Sequence, residues 1–170
     1  MIIRQANSSD APSIARVNVE SWHSTYKGIV PKRYLEAMSA EQYAKKWGRI
    51  IENPASIVLV AEIDSQVIGY ISGGMERSGK LPYEGELYAI YLLKEHQRKG
   101  IGKKLVKKWL GEMRKEKFQN MMVWVIDENP SKRFYEAMGG KTFIQEKLLI
   151  SGKELKELGY GWSSLDDVLI

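Results

Sequence analysis

The sequence contains no cysteine, which excludes disulfides, zinc–thiolate centres and thiol nucleophiles, and with them any route through an acylated thiol on the protein. Histidine is almost as scarce. His23 and His96 lie far apart, without the spacing of metal ligands, so no metal site is expected. No uninterrupted apolar run approaches the ~20 residues that span a bilayer. The opening MIIRQANSSD lacks the basic segment and apolar core of a secretory signal. These absences fit a cytoplasmic protein with no membrane partner. There is also no internal repeat, low-complexity tract or long Gly/Ser/Pro linker, so a single domain over 1–170 is expected.

What is present is an ordinary globular mixture. Of 170 residues, 44% are hydrophobic and 28% charged, which argues against disorder. A chain of this length buries roughly 70% of its unfolded surface and needs no staple. The net charge of +5 is unevenly placed. Between Lys94 and Lys117 stand ten lysines or arginines against three acids, so this segment carries +7 and the rest of the chain −2. Such a concentration is expected where a polyanion docks, and equally on a solvated lysine-rich helix face. A nucleic acid is not the expected polyanion. Its bases need aromatic platforms among the charges, and Trp109, the one aromatic in the segment, falls on an apolar stripe.

The hydrophobic pattern predicts a short strand at 1–5. A helix capped by Asp10 follows, with Ile14 and Val17 facing inward, then an aromatic-rich loop over 22–30. Helices are predicted over 32–38 and 40–51, the second capped by Ser39 and stopped by Asn53-Pro54. Runs at 56–63 and 67–75, joined by Asp64-Ser65-Gln66, form an antiparallel hairpin. A third extended run, 84–93, leads to a glycine-opened helix reaching about residue 117, whose apolar stripe is Ile101, Leu105, Trp109 and Met113, widened by Val106 and Leu110. Residues 121–126 read as a buried strand. Asn129 caps a helix that has Pro130 in its first turn and Gly139-Gly140 as its stop. The last strands are 142–150 and about 159–164. Antiparallel strands followed by strand–helix–strand–helix–strand imply an α/β protein: one mixed, mostly antiparallel sheet with helices on both faces.

The strongest chemical signal is Gln97-Arg98-Lys99-Gly100-Ile101-Gly102-Lys103, between a predicted strand and a predicted helix. A helix start has free N–H groups and the positive end of the dipole, both suited to phosphate. Gly100 and Gly102 let the chain approach the oxygens closely, and Arg98, Lys99 and Lys103 supply charge-assisted bonds. A P-loop fails, because Gly102-Lys103 is followed by Lys104 and position 97 is not glycine. The dinucleotide fingerprint fails too, because position 105 is leucine. The remaining pattern is Gln-x-x-Gly-x-Gly.

Together with Asn129-Pro130-Ser131-Lys132-Arg133-Phe134-Tyr135 and its closing Gly139, this pattern resembles the GNAT family of N-acetyltransferases. The likeness is specific from about residue 84 to 140 and diffuse elsewhere. It implies the GNAT-like acyl-CoA N-acyltransferase fold, in which the loop holds the pyrophosphate of acetyl-CoA. The pantetheine arm then enters a V between the strands at 84–93 and 121–126. The implied cofactor contacts are Gln97, Arg98, Lys99, Gly100, Ile101, Gly102 and Lys103, with the strand residues Ile90, Tyr91 and Leu92, and Asn129 and Tyr135. Backbone N–H near Ile90 is the implied oxyanion donor. Lys94 departs from the proline, and Gly140 from the aromatic, that many relatives carry. The aromatic's packing contact is expected from Phe143.

Acetyl transfer to an amine poses two proton problems. An alkylamine with a pKa near 10.4 is neutral in about one molecule in 2,500 at pH 7, a deficit of about 4.6 kcal/mol. Glu86 matches the family's catalytic glutamate and is the expected base. Glu84, two residues away on the same expected sheet face, is the substitute and a candidate acceptor contact. The departing thiolate needs a proton, and Tyr135 matches the family's general-acid tyrosine. Trp22 and Tyr26 are the expected acceptor wall, with His23, Tyr83, Tyr88, Tyr160 and Trp162 as further candidates. The reading is an acetyl-CoA-dependent N-acetyltransferase working by direct transfer in a ternary complex. Its acceptor is a small-molecule or peptide amine, and a homodimer is admissible. The alternative is a non-catalytic acyl-CoA-binding sensor.

Overall fold

The protein, in a computed structural model describing residues 1–170, forms β1 (Ile2–Gln5), α1 (Ala11–Tyr26), α2 (Lys32–Glu36), α3 (Ala40–Glu52), β2 (Ile57–Ile63), β3 (Gln66–Met75), β4 (Gly85–Leu92), α4 (Ile101–Lys115), β5 (Met121–Ile126), α5 (Lys132–Ala137), β6 (Lys141–Ile150) and β7 (Lys153–Trp162). The seven strands make one sheet in the order β1-β2-β3-β4-β5-β7-β6, and β4 against β5 is the parallel pair. No helix is long and apolar enough to cross a membrane.

Each face of the sheet carries its own helices. The α4 stripe Ile101, Leu105, Val106, Trp109, Leu110 and Met113 is buried throughout. It packs closely enough that a Cβ on Gly73 would strike Trp109 and one on Gly85 would strike Met113. On the same face α5 holds the end of the sheet, with Tyr160 donating to Glu136 and Trp162 to the Met138 carbonyl, both at 2.8 Å. The opposite face of β1–β4 is covered by α1 and α3, where Trp47 meets Tyr70 at 4.7 Å between ring centres. Beyond β4 that second face has no long helix. Of the helices, only the end of α1 and the five-residue α2 reach over it, closing a small core of Tyr26, Val30, Leu35, Ile126, Ile150 and Leu155.

Four local expectations are corrected. The aromatic segment after the first helix is not a loop at its start, because α1 continues through Trp22 to Tyr26. Asp10 makes no side-chain cap at α1. Its carboxylate instead accepts from the Asn7 N–H and takes both Arg4 Nη atoms, at 2.7 and 2.9 Å. Asn129 is not the cap residue of α5. Its Oδ1 accepts from the Ser131 N–H at 2.8 Å in the turn before the helix. The last strand begins at Lys153, six residues earlier than its sequence suggests.

The Asp10 arrangement makes a stability prediction. Its hydrogen bond and ion pair with Arg4 hold the carboxyl below the ordinary carboxylate range. A depressed folded-state pKa stabilises at neutral pH, and the contribution is lost as acid protonates the native carboxylate. Asp10→Ala should cost about 2 kcal/mol at pH 7, because two charge-assisted bonds from Arg4 are lost, leaving it Glu62, and the Asn7 N–H loses its acceptor. The gap between variant and wild type should narrow below pH 4. Urea denaturation at pH 7 and pH 3 checks both statements.

Candidate active site

The site begins where β4 and β5 part. They pair only at Gly85↔Met121, Glu86↔Met122 and Leu87↔Val123, after which β4 continues against β3 alone. The cause lies in β3–β4, where a register shift between Ser72 and Gly73 leaves Tyr88 as an extra residue. Such a bulge bends its strand and increases the local twist. It also reverses the alternation along β4. Glu86 and Tyr88 face away from α4, and beyond the bulge it is Tyr91, beside Tyr70, that faces that way. Counting back by twos from Ile90 to Glu86 therefore misplaces them on one face.

The loop after β4 meets the requirements for an anion. Gly100 caps α4 with φ of +77°, and Arg98 also has positive φ, at +61°. None of the backbone N–H groups from Arg98 to Lys103 donates within the chain, and the first to do so is Lys104, to the Gly100 carbonyl at 3.2 Å. Six successive free N–H groups at a helix start form an anion-binding nest. The Arg98, Lys99 and Lys103 side chains are exposed around it. Ile101 is anchored in the core, so it offers the loop only its backbone. Gln97 is spent on architecture, its amide donating to the Leu92 carbonyl at 3.0 Å. Phe134 lies under the loop, in ordinary contact distance of a Cβ built on Gly102.

Three polar side chains meet in the opening between β4 and β5. The Tyr26 and Tyr91 hydroxyls are 3.1 Å apart, and Asn129 Nδ2 donates to Tyr26 at 3.2 Å. Beside them the Tyr135 ring is 8% exposed and packs 5.5 Å from Phe134 and 6.2 Å from Tyr160. The Tyr135 hydroxyl has no hydrogen-bond partner in the chain and is not among the sealed polar atoms, so its proton is free for a ligand. Burial, with a smaller contribution from Tyr26, pushes this phenol above its ordinary value. The sequence grouped Tyr26 with the acceptor wall, but its hydroxyl belongs to this opening. Trp22 is the half-buried residue outside it, 4.4 Å from Tyr26 and 5.8 Å from Tyr34.

The two expected bases are engaged elsewhere. Glu86 is 1% exposed, and its carboxylate accepts from the Arg77 backbone N–H and Nε, each at 3.0 Å, and from Nη2. Its oxygens are taken by Arg77 and its surface is sealed in this structure. Glu84 lies before β4 rather than on it, and accepts from the Gln119 N–H at 2.8 Å, which removes it from the acceptor side. Tyr160 and Trp162 are buried against α5, on the other face from Trp22.

A trough runs over the second face of β5, β7 and β6. By register its floor holds, in rows, Met122 with Gly161, Trp124 with Gly159, and Ile126 with Glu157 and Glu146. At one end Tyr83 lies over Gly161, so closely that a Cβ there would strike its ring, and leans on Phe143 at 4.8 Å. Arg77 stacks 4.5 Å over Tyr88 on the same side. The other end is the small core of Tyr26 and α2, pinned to the β6–β7 turn by Arg33 on Ser151 and by Lys153 on the Ile29 carbonyl at 2.6 Å. Trp124 is half-buried, while Met122 and Ile126 on the same face are buried, so the trough opens at Trp124 between two covered ends. Trp124, Arg77 and Glu157 were not singled out from the sequence.

Residues 18–140 match the acetyltransferase (GNAT) family. The chain belongs to that family. It is 37% identical over 163 residues to the uncharacterised N-acetyltransferase YuaI of Bacillus subtilis, covering 96% of this chain and 93% of that one. It is 28% identical over 158 residues to a spermidine N(1)-acetyltransferase of Thermoplasma acidophilum, covering 85% and 95%. Among solved structures, the PaiA N-acetyltransferase of T. acidophilum in complex with coenzyme A superposes with a TM-score of 0.72 at 25% identity, over 95% of this chain and 98% of that one. The protein is accordingly an N-acetyltransferase of the GNAT type, on the mixed α/β sheet that the sequence implied.

Proposed function

We propose that this acetyltransferase moves the acetyl group of acetyl-CoA directly to a primary aliphatic amine lying over the Trp124 trough. The observation that carries the reading is the continuity of two features. Six free N–H groups at Arg98–Lys103 stand at the end of a strand whose last five residues, Tyr88–Leu92, have no partner on the β5 side. A diphosphate fits the first, and an amide-bearing arm fits the second as an added strand. On this reading Ile90, Tyr91 and Leu92 line the arm, Asn129 and Tyr135 close on it, and Lys99 and Lys103 add charge at the loop. Acetyl-CoA supplies the electrophilic thioester carbonyl. Tyr135 delivers a proton to the departing sulfur, and Trp22 flanks the acceptor. Without cysteine no acyl-thiol intermediate forms on the protein, so the amine attacks within a ternary complex. The spermidine activity of one relative supports an alkylammonium acceptor. We place the reaction in the cytoplasm, in a single catalytic domain.

The test is a panel of amines (polyamines, aminoglycosides, amino acids and peptide N-termini) with acetyl-CoA, following release of free thiol. Saturable turnover confined to one class is expected. Tight coenzyme A binding with no thiol release from any amine would overturn catalysis in favour of an acyl-CoA sensor.

A further inference from the structure

We propose that Glu157 is the residue that takes the proton from the acceptor ammonium, a role that rests on the acetyl-transfer reading above. Glu157 lies on β7 directly opposite Ile126, on the trough face, one strand away from the edge that β4 leaves open. It is half-buried and has no ion pair or side-chain hydrogen bond in the chain.

The other acids near the site are committed. Glu86 is clamped by Arg77, and Glu84 binds the Gln119 backbone. Glu76 accepts from the Ser78 N–H through Oε1, and its Oε2 is sealed from solvent without a partner. Asp127 pairs with Lys132 and Lys156, and Glu136 accepts from Tyr160, both on the α5 face. Glu146, beside Glu157 on β6, is exposed at the sheet edge. His23 is exposed on α1.

The charged groups facing Glu157 are Glu146 from β6, Glu86 from β4 and Arg77 from the β3–β4 loop. From β5 it meets apolar Ile126, on which the Tyr26 phenol at the end of α1 packs. Partial burial, reinforced by Glu146 and Glu86 and opposed by Arg77, holds the carboxyl above its ordinary range. A carboxylate with raised proton affinity is the better base toward an ammonium at neutral pH. The Glu86–Arg77 clamp acts as a positioning pair. It seats a guanidinium at the trough's side and limits how far the Glu157 proton affinity rises.

The proton and electron balance closes. Glu157 accepts one proton from R–NH3+, and the freed nitrogen lone pair forms the C–N bond to the thioester carbonyl carbon. The C–S bond breaks with its electron pair on sulfur, and Tyr135 gives that sulfur its proton. The Tyr135 oxygen is re-protonated by the second nitrogen proton, and Glu157 releases its own to water. One proton leaves per acetyl group transferred.

The test compares Glu157→Gln with wild type across pH, using an amine that the panel identifies. At pH 7 kcat should fall by about 10²–10³-fold, and the deficit should shrink at alkaline pH, where the amine deprotonates unaided. The acidic limb that Glu157 sets in the wild-type kcat/KM profile should be replaced in the variant by a limb at the higher pKa of the amine itself, while the calorimetric Kd for coenzyme A stays within twofold. Independently of activity, carboxylate-carbon NMR of the ligand-free wild-type protein should find Glu157 titrating above the ordinary glutamate range. Wild-type turnover with the acidic limb intact in Glu157→Gln would sink the role of Glu157 alone. An ordinary Glu157 titration would do the same. Absence of turnover in wild type with every amine would remove the acetyl-transfer reading and this inference together.

Discussion

Tyr135→Phe lowers kcat by about 10²–10³-fold while leaving the Kd for coenzyme A and the thermal midpoint unchanged. The size follows from removing one general acid. The selectivity follows from the packing. The Tyr135 ring is held between Phe134 and Tyr160, and phenylalanine keeps those contacts. The hydroxyl has no protein partner, so its removal strands no buried group and costs no stability. The pH behaviour carries a sign that can be checked. Burial raises this phenol above its ordinary value near 10, so it remains protonated through the whole alkaline range in which the assay is run. The wild-type profile should therefore show no alkaline limb from Tyr135. An enzyme in which Tyr135 served as a base would need it ionised and would gain activity as pH rose. Steady-state kinetics between pH 6 and 10, paired with calorimetry, separates the two. A variant with unchanged kcat would return Tyr135 to the core.

The parts of this protein that were legible in the sequence share one property: their signals are local. The α4 stripe repeats within a single helix, and Asp64 and Ser65, both at positive φ, turn a hairpin between two adjacent apolar runs. The anion loop shows itself by two glycines and three cations within seven residues. Such features are decided by neighbours in the chain, where propensity and period act.

What the sequence hid depends on partners that are distant or two-sided. The segment 153–158, Lys-Glu-Leu-Lys-Glu-Leu, carries an apolar residue every third position, which matches neither a half-buried strand nor a helix. It is a strand because Leu155 faces the small α2 core while Leu158 faces the opposite side, and that hid Glu157 as well. The β4 bulge exists because of β3, so no pattern within 84–93 reveals that the face alternation reverses there. Arg77 sits nine residues before Glu86, across a loop, and nothing in either segment announces the clamp. The glycine at 140 is explained by tertiary packing too. The Trp162 ring lies where its side chain would be, so Trp162 supplies the contact expected of Phe143, which packs on Tyr83 instead.

The other large effect concerns the two loop glycines, which ought to behave differently. Gly100 has φ of +77° with nothing within 4 Å of a built Cβ, whereas Gly102 has no unusual φ, with the Phe134 ring at 3.4 Å and Leu92 at 3.8 Å. At Gly100 the penalty for a side chain is therefore conformational, about 1–2 kcal/mol for an L-residue in the left-handed region and more for a β-branched one. The chain can escape that strain only by rotating the peptide that opens α4. Because the free N–H groups of Arg98–Lys103 converge through that peptide, the rotation scatters the nest. Gly100→Val should weaken coenzyme A binding by at least about 100-fold, since several charge-assisted bonds to one diphosphate are lost together. Gly102→Ala should be nearly silent, because its Cβ meets Phe134 and Leu92 at ordinary contact distance. Calorimetric titration of both variants with coenzyme A decides the matter. Equal losses at the two positions would mean that the loop acts through bulk at its surface, and intact affinity in Gly100→Val would place the diphosphate somewhere other than the start of α4.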